Sequence, residues 1–308
     1  MLKKDKKENI EEGSDLKNAL QKILDDLDID LSQLPEKHEG EEYRQTQSDK
    51  QEQAENPDNK EKTKLLIYFN KWTLLLAFLF VGWSAMAQKP TGLSGSGTEE
   101  DPYLVSDLLD LQILSSMTMY WASGTYIEQT ADIIATETNT WNGGEGFIPI
   151  GNSSTYFQGN YNGNNKIISN LFINRPATYG QGLFGYTQGA TITNLVLTNL
   201  NITGNGYVGG LVGDNFSSNI TNCHTSGSIT GNHSRVGGLV GSLSIGTINN
   251  CHSDCLVTAL QFVGGLAGSN DGGTISNSYS TGNVTSTATG GTNGLAGGFV
   301  GDCFDEAT

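Results

Sequence analysis

Cys223-His224 and Cys251-His252 are the residues whose types most suggest chemistry, because thiolate and imidazole are the ligands of structural zinc. In an extended strand, however, adjacent side chains leave on opposite faces, so the Cys and His of each pair diverge. The second pair also follows the first at the interval of a repeat that runs through this part of the chain, and that repeat accounts for the recurrence. Other candidates fail on spacing. His38-Glu39 lacks the second His of a zinc-peptidase helix. Asp26, Asp28 and Asp30 open like a calcium loop, but Leu31 stands where Gly is required and Lys37 where Glu is required. A polysaccharide lyase needs a basic proton acceptor and a cation for the uronate. Lys166, Arg175 and Arg235 come from different phases of the repeat and need not converge. Asp214 and Asp271 follow similar strings and could form a sugar-site pair, although solvated turn acids look the same in sequence. The residues therefore assign no catalytic, cofactor-binding or metal position and imply no cofactor.

What positions these residues is the repeat. VGGLVG at Val208–Gly213 returns at Val236–Gly241 and, as VGGLAG, at Val263–Gly268. QGLFG (Gln181–Gly185) precedes them and AGGFVG (Ala296–Gly301) follows. The repeat glycines Gly182, Gly210, Gly238, Gly265 and Gly298 lie at intervals of 28, 28, 27 and 33. Ile-x-Asn keeps nearly the same beat, placing Asn170, Asn194, Asn222, Asn250 and Asn277 behind Ile168, Ile192, Ile220, Ile248 and Ile275. A third apolar position follows at Ile173, Leu197, Ile229, Val257 and Val284. Each repeat thus holds about three short strands, separated by Gly, Asn, Ser and Thr clusters. The expected fold is all-β: a right-handed parallel β-helix (β-solenoid), in which each strand pairs with its own copy one coil away. The Ile residues would stack as a dry column, the five Asn amides would form a structural ladder, and the glycines would supply left-handed bends or close backbone approach.

These strings, with Ile-x-Asn-Cys between them, resemble the GLUG repeats of bacterial surface proteins. Gly95–Leu114 resembles the entry segment of such arrays, and Tyr126–Ile133, Trp141, Phe147–Gly151 and Phe157–Leu171 look like its first coils. The likeness covers roughly residues 93 to 308. It implies an adhesin-like role. Similar repeats also accompany the catalytic part of immunoglobulin A-cleaving metallopeptidases, but no catalytic residue of that part has a counterpart here.

The front of the chain is different material. Residues 1–64 hold 12 Lys+Arg and 18 Asp+Glu, and read as a charged, largely disordered leader with one amphipathic helix from Asp15 to about Leu27. Residues 65–87 read as a signal peptide or a membrane anchor. Lys60, Lys62, Lys64 and Lys71 precede the apolar run Trp72–Trp83, and Ala85-Met86-Ala87 offers a cleavage site after Ala87. Residues 88–308 are the array. Its last residues, Ala307-Thr308, stop where an Ile-x-Asn should begin, so a longer parent array is expected.

The net charge of −16 disfavours nucleic acid, since only 5 of the 17 basic residues lie beyond residue 64. Cys223 and Cys251, one repeat apart, would form either a disulfide or a column of buried thiols. Tyr156, Phe157, Tyr179, Tyr186, Tyr207 and Phe262 would serve either carbohydrate stacking or packing at turns. The expected function is an exported, non-enzymatic stalk or adhesive surface whose partner is a glycan or a cell-surface protein, with membrane contact only through residues 65–87. The alternatives are a polysaccharide-active enzyme, or the non-catalytic front of a surface metallopeptidase.

Overall fold

The computed structural model describes residues 92–289 and 294–304. The leader with its expected helix, the apolar run Trp72–Trp83, the cleavage site at Ala87 and the final Ala307-Thr308 lie outside the described residues.

The described chain opens with one capped helix and continues as β-structure. The helix Leu108–Ser116 starts where Asp107 accepts a hydrogen bond from the Asp110 backbone N–H at 2.9 Å, while Asp110 reaches back to the Ser106 N–H at 2.9 Å. This reciprocal cap fixes the turn that drives Leu111 and Leu114 into the core.

Every ladder between the named strands is parallel. The chain visits four sheets in turn. Val212–Phe216 lies in the five-stranded sheet, Asn219–Thr221 in the seven-stranded, His224–Gly231 in the eight-stranded and Ser234–Gly237 in the three-stranded sheet. Val240–Ser244 then returns to the first of these, where Val240 pairs with Val212, its equivalent one repeat earlier. The strands per repeat are therefore four. The second and fourth are short, at three and four residues, and the third runs to eight residues at His224–Gly231.

Identical positions stack. Tyr161, Ile192, Ile220, Ile248 and Ile275 form one in-register column facing inward. Ile173, Ile202, Ile229, Val257 and Val284 form another. Each fully buried aliphatic side chain contributes about 1.5–3 kcal/mol of transfer free energy. Two expected members change place. Ile168 pairs with Leu197 in the eight-stranded sheet, so Tyr161 takes its position in the first column and Ile202 takes that of Leu197 in the second. The Ile168–Ile192 interval of 24 is the visible trace of this phase difference.

The bends are made by Asn. Asn170, Asn194, Asn222, Asn250 and Asn277 all have positive φ, between 49° and 61°. Asn is among the few side chains that tolerate this region. None of the five repeat glycines has a positive φ. Their role is close approach: a Cβ on Gly210 would lie 2.5 Å from the Gly238 carbonyl oxygen, and one on Gly238 would lie 2.4 Å from that of Gly265. Coils stacked at about 4.8 Å leave no room for it.

Candidate functional site

The Asn side chains link successive coils. Asn222 Nδ2 donates to Asn194 Oδ1 at 2.9 Å, and Asn250 Nδ2 to Asn222 Oδ1 at 2.7 Å. Asn194 Nδ2 continues downward to Asn162 at 3.0 Å. Asn170, which follows a strand of a different sheet, instead donates to Ser169 Oγ at 3.5 Å. Asn277 reaches Asn249 Oδ1 at 2.9 Å, one residue from the expected partner.

Of the candidate catalytic groups, Arg235 comes near Asp214, while Arg175 and Asp271 are placed elsewhere. Arg175 is paired with Glu145 at 2.8 Å. The Arg235 guanidinium lies 5.2 Å from the centre of the Tyr207 ring, and its Nη1 donates to the Tyr207 hydroxyl at 3.1 Å. Asp214 stands in register with Tyr186 and Ser242, whereas Asp271 is in register with Phe304, so the two acids occupy different columns.

Cys223 and Cys251 are buried and their thiols are free. The Cys223 backbone N–H points at Cys251 Sγ, 3.4 Å away. Burial pushes the Cys223 thiol well above its usual range. Their sequence neighbours His224 and His252 leave on the other face, where their rings stack at 3.9 Å. Asp254 lies on that same face, with Oδ2 3.9 Å from His224 Nε2. The signal that would have found this trio is the repeat itself: its period puts one His over the other, and Asp254 is two residues along the strand from His252.

One groove of about 770 Å³ lies on the flank of the first coils, lined by Trp121, Asn152, Arg175, Tyr179, Gln181 and Tyr186 among others. Tyr156 stands edge-on to Tyr186 at 5.9 Å, and Tyr179 lies 5.7 Å from Tyr207. Phe157 is fully buried against Phe184 and unavailable to a ligand. Burial, then Asp214 and then the neighbouring tyrosines push the Tyr186 phenol up to about 12, so it remains a hydrogen-bond donor at neutral pH. Burial also lifts the Asp214 carboxyl above its usual range, with Arg235 opposing. Gln181 donates its amide N–H groups to the Tyr179 and Gly180 carbonyls at 2.9 and 3.0 Å. Its Oε1 is buried with no hydrogen-bond partner among the described residues.

Three comparisons place this architecture. The model of the GLUG motif matches residues 204–230 and 263–285. Halomucin of Haloquadratum walsbyi is 42% identical over 122 residues, which are 39% of this chain and 1% of that protein. A protein of Evansella cellulosilytica, provisionally named a Gly-rich membrane protein, is 36% identical over 126 residues, 40% of this chain and 14% of its own length. The chain thus spans a small part of both curated relatives. The crystal structure of a Bacteroides ovatus protein, provisionally named an immunoglobulin A1 protease, superposes with a TM-score of 0.55 at 21% identity. That match covers 70% of this chain and 66% of the other, and the likeness is one of fold. The chain carries GLUG repeats, built as parallel strands that return to the same sheets at each repeat.

Proposed function

We propose that this chain is a β-solenoid repeat protein of the cell surface, non-enzymatic, whose flank groove binds a glycan. Residues 1–64 form the charged leader in this proposal and residues 65–87 the export or anchoring segment, with cleavage after Ala87 in the exported form. Support for the solenoid is the return of the chain to the same sheet once per repeat, one strand further along each time. The Evansella cellulosilytica relative's name as a membrane protein supports a surface location.

The observation that carries the glycan is the groove. Tyr179, 39% exposed, offers a ring face, and Tyr186 a hydroxyl that both donates and accepts. A sugar presents apolar C–H faces and hydroxyls that donate and accept, and so matches this mixture. The groove also meets a column of left-handed bends. Gly180, Tyr207, Arg235 and Phe262 occupy one bend position and all have positive φ, with bulky side chains at three of the four. Holding a bulky residue there costs on the order of 1–2 kcal/mol, and the member that lines the groove is Gly180, which carries no such cost. The polysaccharide-lyase alternative lacks support, because Arg175 and Arg235 are each engaged by a different partner.

Glycan-array binding by the full chain tests the proposal. Binding to a defined set of glycans is expected, with a loss of at least tenfold in Tyr179→Ala. No binding to any glycan, or depolymerisation of a polysaccharide by the chain, would overturn it.

A further inference from the structure

The outward face of the eight-stranded sheet carries a second site, independent of the groove. In-register pairing puts His224 beside His252 and Ser226 beside Asp254. Side chains two apart on a strand share a face, so His224, His252 and Asp254 converge, with one ligand atom from each within 4.8 Å of the others. We propose that this His-His-Asp trio binds a divalent transition-metal ion of the zinc, nickel or copper class.

Three observations support it. The donor set is right: two imidazoles and a carboxylate suit these metals, and three protein ligands leave one position for water. The spacing is close to right. Donors at 2.0–2.2 Å around a tetrahedral ion lie about 3.4 Å apart, so the 3.9 Å between His224 Nε2 and Asp254 Oδ2 has to shorten, and the two stacked imidazoles must splay to aim their in-plane lone pairs at one ion. The supports are in place. Tyr279 stacks on His252 at 4.9 Å and 12°, and the Thr281 hydroxyl donates to Asp254 Oδ1, which leaves Oδ2 toward the histidines. Such outer contacts orient metal ligands. His224 belongs to one coil and the other two ligands to the next, so a bound ion would clamp consecutive coils together.

Titration of Zn²⁺ or Ni²⁺ into the EDTA-treated full chain, followed by calorimetry, tests this directly. One site is expected to be lost in His224→Gln/His252→Gln and weakened at least tenfold in Asp254→Asn. His233→Gln and Cys303→Ser serve as controls and should keep it. Cu²⁺ added to the unaltered chain should give an electron paramagnetic resonance spectrum with two imidazole nitrogens, a readout that does not depend on any variant folding. Metal affinity retained in the double variant, or a Cu²⁺ spectrum without two such nitrogens, would overturn the assignment.

Discussion

Gly238→Ala should destabilise the array severely, while Gly298→Ala should leave it nearly unchanged. The two glycines hold the same place in the repeat, and only what lies above them differs. A Cβ on Gly238 would meet Ser253 Oγ at 2.0 Å and the Gly265 carbonyl oxygen at 2.4 Å, whereas one on Gly298 would meet nothing within 4 Å among the described residues. The Ser253 hydroxyl could turn away, but the carbonyl belongs to the next coil and cannot. That coil is held by backbone bonds on both sides of the contact, Leu239 N–H to Leu266 at 2.9 Å and Gly265 N–H to Gly297 at 3.2 Å. Opening the gap by roughly 1 Å to reach ordinary van der Waals distance would stretch one or two of these, at about 1 kcal/mol each. Forcing a methylene into packed structure adds about 1–3 kcal/mol. The stiffer unfolded chain returns about 0.4–1 kcal/mol.

The net loss expected for Gly238→Ala is therefore about 2–4 kcal/mol, against less than about 0.5 kcal/mol for Gly298→Ala. Urea unfolding followed by circular dichroism gives the comparison, and native-state hydrogen exchange locates the loss within the array. If the two variants prove equally stable, close approach between coils is not what keeps these positions Gly.

Asn222→Ala should be worse than Asn222→Gly by about 1 kcal/mol, because both lose the amide bonds but only Ala pays for the left-handed φ of 55°. Equal denaturation midpoints would remove the backbone argument. Ile220→Ala, in the centre of the buried column, should cost about 2–5 kcal/mol in the same melt; a cost below about 1 kcal/mol would mean the column is not packed. The Tyr186 phenol has a folded-state pKa raised to about 12 from 10.0, so the folded form keeps its proton longer than the unfolded. Its contribution is fully present below pH 10, and stability should fall as pH rises from there through about 12. Alkaline melts should show this slope reduced in Tyr186→Phe, and an identical slope in both proteins would contradict the assignment.

The sequence carried the repeat and its inward columns because those positions must recur: Ile192, Ile220, Ile248 and Ile275 each pack on the copy above and below. It misplaced Ile168 and Asn170 because Ile-x-Asn is short enough to occur in a different sheet by coincidence of type. The division of labour between Asn and Gly was hidden for a physical reason. Both residues suit left-handed bends, and only the coordinates separate a positive φ at Asn222 from a crowded Cβ position at Gly210. Tyr179 and Tyr186 were among the aromatics the sequence offered for carbohydrate stacking, but the groove that gathers them was out of reach, since it joins residues from Ser115 to Tyr186 that share no motif.

The histidines show how chemistry is written on such an array. A local motif search tests neighbours along the chain, and in a strand those neighbours face opposite ways. Here the chemical neighbour of a residue is its copy one coil on. Inward columns have little freedom, because a change must fit the coil above and the coil below at native packing density. Outward columns lack that restraint: Val196, His224, His252 and Tyr279 share one column, and none of them is fully buried. A departure from the repeat is therefore most informative where it faces solvent. Two of the sharpest departures, the stacked histidines and the aromatic flank around Tyr186, are the places where ligands have been proposed, and the two can be tested separately because they share no residue.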